Sequence, residues 1–204
     1  MVQAQFHPGS MVRPGHQSGS AAVADVELIE RIASADNQAM SALVGRYSVR
    51  IYRFVLRMVD DRILAEDIVS DVFFEAWQQA HKFEARSKVS TWLLAIARNK
   101  ALSAIRGRRV HQNLDEALDV ADPSENAEAA WQRANRNSNL RDCLMKLSPN
   151  HREVLDLIYY HEQPIESVAK IVGIPLNTVK TRVFHARKHL ATLLNEAGIT
   201  HAAV

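Results

Sequence analysis

The sequence predicts an all-α protein: two small helical domains joined by a flexible acidic linker. Three observations carry that reading. No proline occurs between Ser20 and Asp122, and the only glycines there are Gly45 and Gly107, so helices can run long without a breaker. Apolar residues in that span recur at steps of three and four, the period of a helix, and no stretch alternates convincingly enough to be a strand. The stretch from Gly107 to Glu125 lacks a sustained apolar stripe and gathers carboxylates, before the helical period resumes.

The elements follow in chain order. Residues 1–24 hold Pro8, Gly9, Pro14, Gly15 and Gly19 among Ser and Gln, with no apolar h-region, and read as a disordered tail rather than a signal peptide. Residues 25–108 form the first domain. Leu43, Tyr47, Ile51, Phe54, Val55 and Met58 mark one helix, and Leu64, Ile68, Val72 and Ala76 a second. Val89, Trp92, Leu93, Ile96, Ala97, Leu102 and Ile105 mark a third. Residues 109–126, with Asp115, Glu116, Asp119, Asp122 and Pro123, form the linker.

The second domain, 127–196, is expected to hold helices near Ala127–Leu147, Asn150–Tyr160, Ile165–Val172 and Asn177–Glu196. Ser148 before Pro149, and Asn177 before Thr178, suit helix starts by capping and by the fixed φ of proline. Residues 197–204 are a short C-terminal tail.

Composition narrows the class. No apolar run approaches the roughly 18 residues that span a bilayer. The single cysteine, Cys143, cannot form an internal disulfide, and no CxxC pair suggests zinc, which fits a reducing, cytoplasmic setting. Cys143 lies in an apolar helical stretch and reads as a buried, inert thiol rather than a redox sensor. The net charge of +2 hides a segregation. Residues 25–80 carry six basic and ten acidic side chains, residues 81–111 eight and one, residues 112–130 none and six, and residues 131–204 ten and six. Two positive zones flanking a negative strip point to a polyanionic partner.

The stretch IESVAKIVGIPLNTVKTRVFHAR, residues 165–187, has helix-turn-helix spacing. Ala169 is small where two helices cross, Gly173 can take the left-handed conformation that ends the first, and Val179 anchors the second. At about 100° per residue, Val179, Val183, Ala186 and Leu190 face inward. Asn177, Thr181, Phe184, His185 and Lys188 lie opposite, flanked by Lys180, Arg182 and Arg187. Such a face sets hydroxyl, amide, imidazole and ring groups against base edges while the cations take phosphates. The alternative is an ordinary helical hairpin with a solvated basic face.

Two further stretches bear on the choice: AEDIVSDVFFEAW at 65–77 and STWLLAIARNKALSAIRGRR at 90–109. With LSPNHREVLDLIYY and NTVKTRVFHARKHL, in this order and separation, the chain resembles bacterial RNA polymerase sigma factors of the extracytoplasmic-function type, over most of residues 25–196.

The resemblance implies that residues 25–108 are sigma region 2, which holds core RNA polymerase and opens the −10 element, and that residues 127–196 are sigma region 4, which reads the −35 element. Promoter DNA is then the second partner, and an anti-sigma factor a third by analogy. It implies core polymerase binding by Glu66, Asp67, Asp71 and Glu75, on a helix that buries Ile68, Val69, Val72, Phe73 and Ala76. It implies a cationic track for a separated DNA strand from Lys88, Arg98, Lys100, Arg106, Arg108 and Arg109. An unstacked base would be caught in the loop of residues 81–87, where only His81 and Phe83 offer rings, with Asn99 nearby. Modest melting power and a stringent promoter follow. For −35 recognition it implies Asn177, Thr178, Lys180, Thr181, Arg182, Phe184, His185, Arg187 and Lys188. The acidic linker would run through the polymerase.

The sequence departs from the family at Ser70, commonly Gln, at Ser103, commonly Asp, and at Thr181 and His185, often Ser and Arg. The last two sit on the reading face, so relatives do not supply the promoter sequence. A helix-turn-helix regulator acting without polymerase is the competing reading. Enzyme chemistry is not expected: no glycine-rich phosphate loop, nucleophile elbow or HExxH occurs, and no carboxylate pair is placed for acid and base work. His185 and His189 stand four apart, but no third ligand is evident, and neither metal nor cofactor is expected.

Overall fold

The computed structural model describes residues 18–112 and 140–199, with side chains described for 24–108 and 140–199. Among the described residues there is no strand. The first unit holds α1 (Ser18–Ala33), α2 (Asn37–Val59), α3 (Arg62–Gln79), a 3₁₀ turn (Ala80–Lys82) and α4 (Val89–Gln112). The second holds α5 (140–146), α6 (Pro149–Leu155), a π-turn (Asp156–Tyr160), α7 (Ile165–Val172) and α8 (Leu176–Glu196).

Caps and turns account for the junctions. Asp36 caps α2, its carboxylate accepting from the N–H groups of Gln38 and Ala39 at 2.9 and 3.1 Å. The Asp60–Asp61 pair turns the chain from α2 to α3: Asp60 takes a left-handed φ of 51°, and Asp61 accepts from the Leu64 N–H at 3.0 Å. Both capping carboxyls sit below the usual range. For Asp36 the Ala39 N–H is the larger cause, then Arg31; for Asp61 it is the Leu64 N–H, then Arg108. Ser148 caps α6 through the His151 N–H at 3.4 Å, with Pro149 in its first turn.

Three boundaries differ from expectation. The tail assigned to residues 1–24 gives way at Ser18 to α1, because no proline follows Pro14 in this part of the chain and Leu28, Ile29 and Ile32 step onto the core. Residues 1–17 lie outside the described residues. At the other end α4 runs through Gly107 to Gln112, past the boundary drawn at 108. A side chain at Gly107 would meet nothing within 4 Å, and the arginines around this glycine are good helix formers. The rest of the acidic linker, from residue 113, and residues 127–139 of the expected Ala127–Leu147 helix lie outside the described residues. Third, Asn177 is not a cap: α8 starts at Leu176 after Pro175 and has no side-chain cap, because Pro175 already fixes the entry φ.

The helices α2, α3 and α4 pack against one another, with α1 across α2. Leu43, Ile51, Phe54, Val55, Val72, Leu93 and Leu94 are sealed between them. Each such side chain contributes on the order of 1.5–3 kcal/mol by leaving water. Buried Asp25 on α1 accepts from Tyr47 and Arg46 of α2, so a polar pin joins the two helices. Burial first, and then that carboxylate, push the Tyr47 phenol well above its ordinary range and keep it a donor. In the second unit Val154, Leu157, Val168, Val179 and Ala186 close a smaller core. It is continuous with the first, because α7 lies on α4.

Candidate nucleic-acid interface

The helix-turn-helix is built as its spacing predicts. Val168, Ile171 and Val172 of α7 are buried, as are Val179, Val183 and Ala186 of α8. Gly173 takes φ 70°, and its N–H closes the helix on the Ala169 carbonyl at 2.9 Å. A Cβ at Gly173 meets nothing within 4 Å, so the cost of a side chain there is backbone strain alone. Gly173→Ala is expected to lower stability by about 1–2 kcal/mol, seen as a drop of a few degrees in the thermal midpoint.

The outer face of α8 presents Asn177, Thr178, Lys180, Thr181, Phe184, His185, Arg187 and Lys188 to solvent, with Arg182 half-buried. Phe184 is 64% exposed, which leaves its ring open to contact. Its neighbour His185 stands edge-on at 5.4 Å. The Thr181 hydroxyl donates to the Asn177 carbonyl at 3.0 Å, which leaves its oxygen free to accept. Among the described residues, Lys180, Arg182, Arg187 and Lys188 have no carboxylate within ion-pairing reach. The Arg187 guanidinium lies 5.3 Å over the exposed Tyr159 ring.

Behind this face His151 is half-buried, with its ring 6.5 Å from that of His189 and its Nδ1 without a protein partner among the described residues. Burial, then the charges of His189, Arg182 and His185, hold its pKa below the ordinary value. The unfolded chain therefore binds more protons than the folded one as pH falls below about 6.5, so stability drops toward acid. His151→Gln is expected to flatten the pH dependence of urea unfolding between about pH 7 and 5. Among the described residues no group of three His, Cys, Asp or Glu side chains could hold a metal ion. Cys143 is buried, its thiol directed at the Leu193 carbonyl at 3.5 Å.

The surfaces assigned to the first unit are more entangled than the sequence suggests. His81, Lys88, Asn99 and Arg106 are exposed, but Phe83 is half-buried against Trp92, ring centres 4.9 Å apart. One face of Phe83 is therefore unavailable for stacking, because an apolar ring beside the core gains more from Trp92 than from water. Lys100 does not stand free in a cationic track: its Nζ lies 2.9 Å from Glu75 and 4.0 Å from Asp71. Expected strand-binding and polymerase-binding residues thus meet across a shallow cleft between α3 and α4, where Asp67, Asp71 and Glu75 face Asn99, Lys100 and Ser103. Arg98 is also paired, 2.6 Å from Glu153 of the second unit. Arg108 pairs with Asp61; the side chain of Arg109 lies outside the described ones.

Sequence reasoning missed two groups. On α3, Glu66, Asp67 and Asp71 are exposed as expected and Val69 is only half-buried, but Ile63, Phe74 and Trp77 are exposed beside them. At about 100° per residue these three apolar residues fall on one stripe, a signal that the period of α3 carries beside its core-facing side. The second group joins the units: Arg50, Arg57, Asp156, His161 and Gln163, about which local periodicity says nothing.

Comparison with known proteins agrees with this architecture. The family described as Sigma-70 region 2 matches residues 43–110, and Sigma-70, region 4 matches residues 138–190. The ECF RNA polymerase sigma factor SigW of Bacillus subtilis is 30% identical over 181 residues, covering 82% of this chain and 95% of that protein. The chain belongs to the ECF RNA polymerase sigma factors. The ECF sigma factor SigL of Mycobacterium tuberculosis is 28% identical, covering 82% of this chain and 96% of its own. Among solved structures the sigma factor RpoE of Bartonella quintana, in complex with the anti-sigma factor NepR, superposes with a TM-score of 0.59. It is 28% identical and covers 76% of this chain and 96% of its own. CnrH, in complex with the cytosolic domain of CnrY, shares the fold with a TM-score of 0.63 at 24% identity, covering 85% of this sigma factor and 98% of its own chain. No described helix of this sigma factor is long and apolar enough to cross a membrane.

Proposed function

We propose that this sigma factor divides initiation among three surfaces: α3 grips core RNA polymerase, α4 with the loop before it holds the −10 strand as it melts, and α8 reads the −35 element. The outer face of α8 carries the reading. Four cations without carboxylate partners among the described residues flank a 64% exposed phenylalanine, which suits phosphate clamping around an apolar contact with a thymine methyl. The acidic and aromatic face of α3 has no use in a regulator that binds DNA alone, and it favours the polymerase-bound reading over that alternative. The chemistry of RNA synthesis would be the polymerase's, in the cytoplasm, with no catalytic step by this chain. RpoE is solved in complex with the anti-sigma factor NepR, and by kinship we assign an anti-sigma partner to this chain. Copurification from the native cell tests that assignment, and a chain recovered always free would count against it.

Run-off transcription with sigma-free core polymerase tests the reading face. Arg182→Ala is expected to weaken all promoters alike and to reduce the slope of log affinity against log salt by about 0.9. Thr181→Ala and His185→Ala are expected to change base preference within the −35 element, by about 1–3 kcal/mol at the affected position. If all three variants transcribed every template like the parent chain, α8 would not be the reader.

A further inference from the structure

The outer face of α8 has a neighbour from another element. The guanidinium carbon of Arg187 lies 5.3 Å over the centre of the Tyr159 ring, and both side chains face solvent. Tyr159 is 61% exposed, so its ring adds little to the core. Among the described residues Arg187 has no carboxylate within ion-pairing reach, and the ring is what its guanidinium meets instead.

The chain puts the ring there for a local reason. In the π-turn Asp156–Tyr160 the His161 N–H reaches back five residues to the Asp156 carbonyl at 3.0 Å, and the Gln163 N–H reaches the Leu157 carbonyl at 2.9 Å. A turn widened by one residue re-aims the side chains it carries, and such bulges recur at functional sites. Leu157 anchors the turn in the core, while the two tyrosines splay toward different helices: Tyr160 lies under Arg57 of α2, and Tyr159 under Arg187 of α8.

A guanidinium over a ring keeps its charge and its donors. The ring face attracts the cation yet leaves the N–H groups at the rim free for phosphate oxygens, a combination that the point charge of a lysine does not supply. Lys180, Phe184 and Arg187 step by four and three along α8, so Arg187 continues one flank of the outer face. An arginine free to sample its rotamers loses that freedom on binding DNA, whereas one held beforehand loses less. The attraction to the ring also grows when a partner excludes water from the pair.

We infer that Tyr159 is a positioning residue for promoter binding: its ring holds Arg187 along the flank of α8, in place to take a backbone phosphate beside the −35 element. The contact surface then draws on two helices, with the phosphate-binding group on α8 and its alignment set by the π-turn. The inference rests on the assignment of α8 to the −35 element.

The test uses holoenzyme assembled from the full chain and sigma-free core polymerase, and as probe a duplex promoter fragment on which the parent holoenzyme initiates. Tyr159→Ala is expected to weaken fragment binding about fivefold, but by less than about twofold when Arg187 is already replaced in Arg187→Ala. Tyr159→Phe, which keeps the ring, is expected to stay within about twofold of the parent. A purely structural ring would cost the same in both backgrounds; that result, or no loss at all, would overturn the proposal. Tyr159→Phe as weak as Tyr159→Ala would overturn it too, because the hydroxyl rather than the ring would carry the effect. Arg187→Ala with the parent's affinity would also overturn it, and Arg182→Ala then locates the failure: a loss there leaves α8 as the reader, whereas no loss removes the assignment of α8 itself.

Discussion

Phe54→Ala is expected to destabilise the protein by about 3–5 kcal/mol, the largest effect of any single substitution considered for this chain. Phe54 is 1% exposed in the C-terminal half of α2. Its ring fills the space between the first bundle and the second unit, where it meets the buried His161 ring edge-on at 5.4 Å. Truncation leaves a cavity that neighbours on rigid helices cannot close, and it removes the apolar support behind the Arg57, Asp156 and His161 cluster. Two readouts should move together. Urea unfolding monitored by circular dichroism should shift its midpoint downward, and proteolysis between the two units should accelerate. A loss below about 1 kcal/mol would mean that the Phe54 site collapses easily and that the units are not joined through it.

The second large effect is expected at an exposed site. Phe74→Ala with Trp77→Ala should weaken binding to core RNA polymerase by at least about 30-fold, equivalent to 2 kcal/mol, the usual threshold for an interface hot spot. These rings are 55% and 45% exposed, with centres 6.1 Å apart, amid the carboxylates of Glu66, Asp67 and Asp71. Aromatic anchors ringed by acidic groups match a basic, partly apolar partner surface. Because both rings face solvent, the thermal midpoint should hold within a degree or two while the affinity falls. Equal core binding by the double variant and the parent chain in a competition assay would move the polymerase contact off this face of α3.

Much of this architecture was legible in the sequence, and the legible parts share a cause. Val179, Val183 and Ala186 point inward because a helix of this amphipathic pattern has one low-energy way to pack, and Gly173 ends α7 because its left-handed φ suits no other residue as well. Ser148 and Pro149 start α6 for equally local reasons. Where local signals compete, reading from sequence was weaker. Asn177 resembles a cap, yet Pro175 two residues earlier already sets the entry φ of α8. Gly107 resembles a terminator, yet in an open helical position it costs too little to stop α4.

The site was readable where it depends on one helix and unreadable where it depends on two. The α8 face follows from its own periodicity. Charge and the family resemblance point Lys100 and Arg98 at a nucleic-acid strand; the contacts that occupy them, with Glu75 and Glu153, lie 25 and 55 residues away along the chain. No window of sequence spans such distances. His161 and Gln163, both buried, look in sequence like ordinary loop residues after a tyrosine pair, because the α4 and α2 side chains that satisfy them are remote.

The central claim is that one bundle holds the polymerase while the other reads upstream bases, and that both are needed for accurate initiation. In vitro transcription over a fragmented genomic library, with sigma-free core polymerase and mapped start sites, tests it most directly. The account predicts a small set of start sites in the presence of the full chain, sharing one upstream motif at each of two positions, and none with residues 1–112 or 140–204 supplied separately. Start sites scattered as with core enzyme alone, at low salt and with core binding intact, would contradict it.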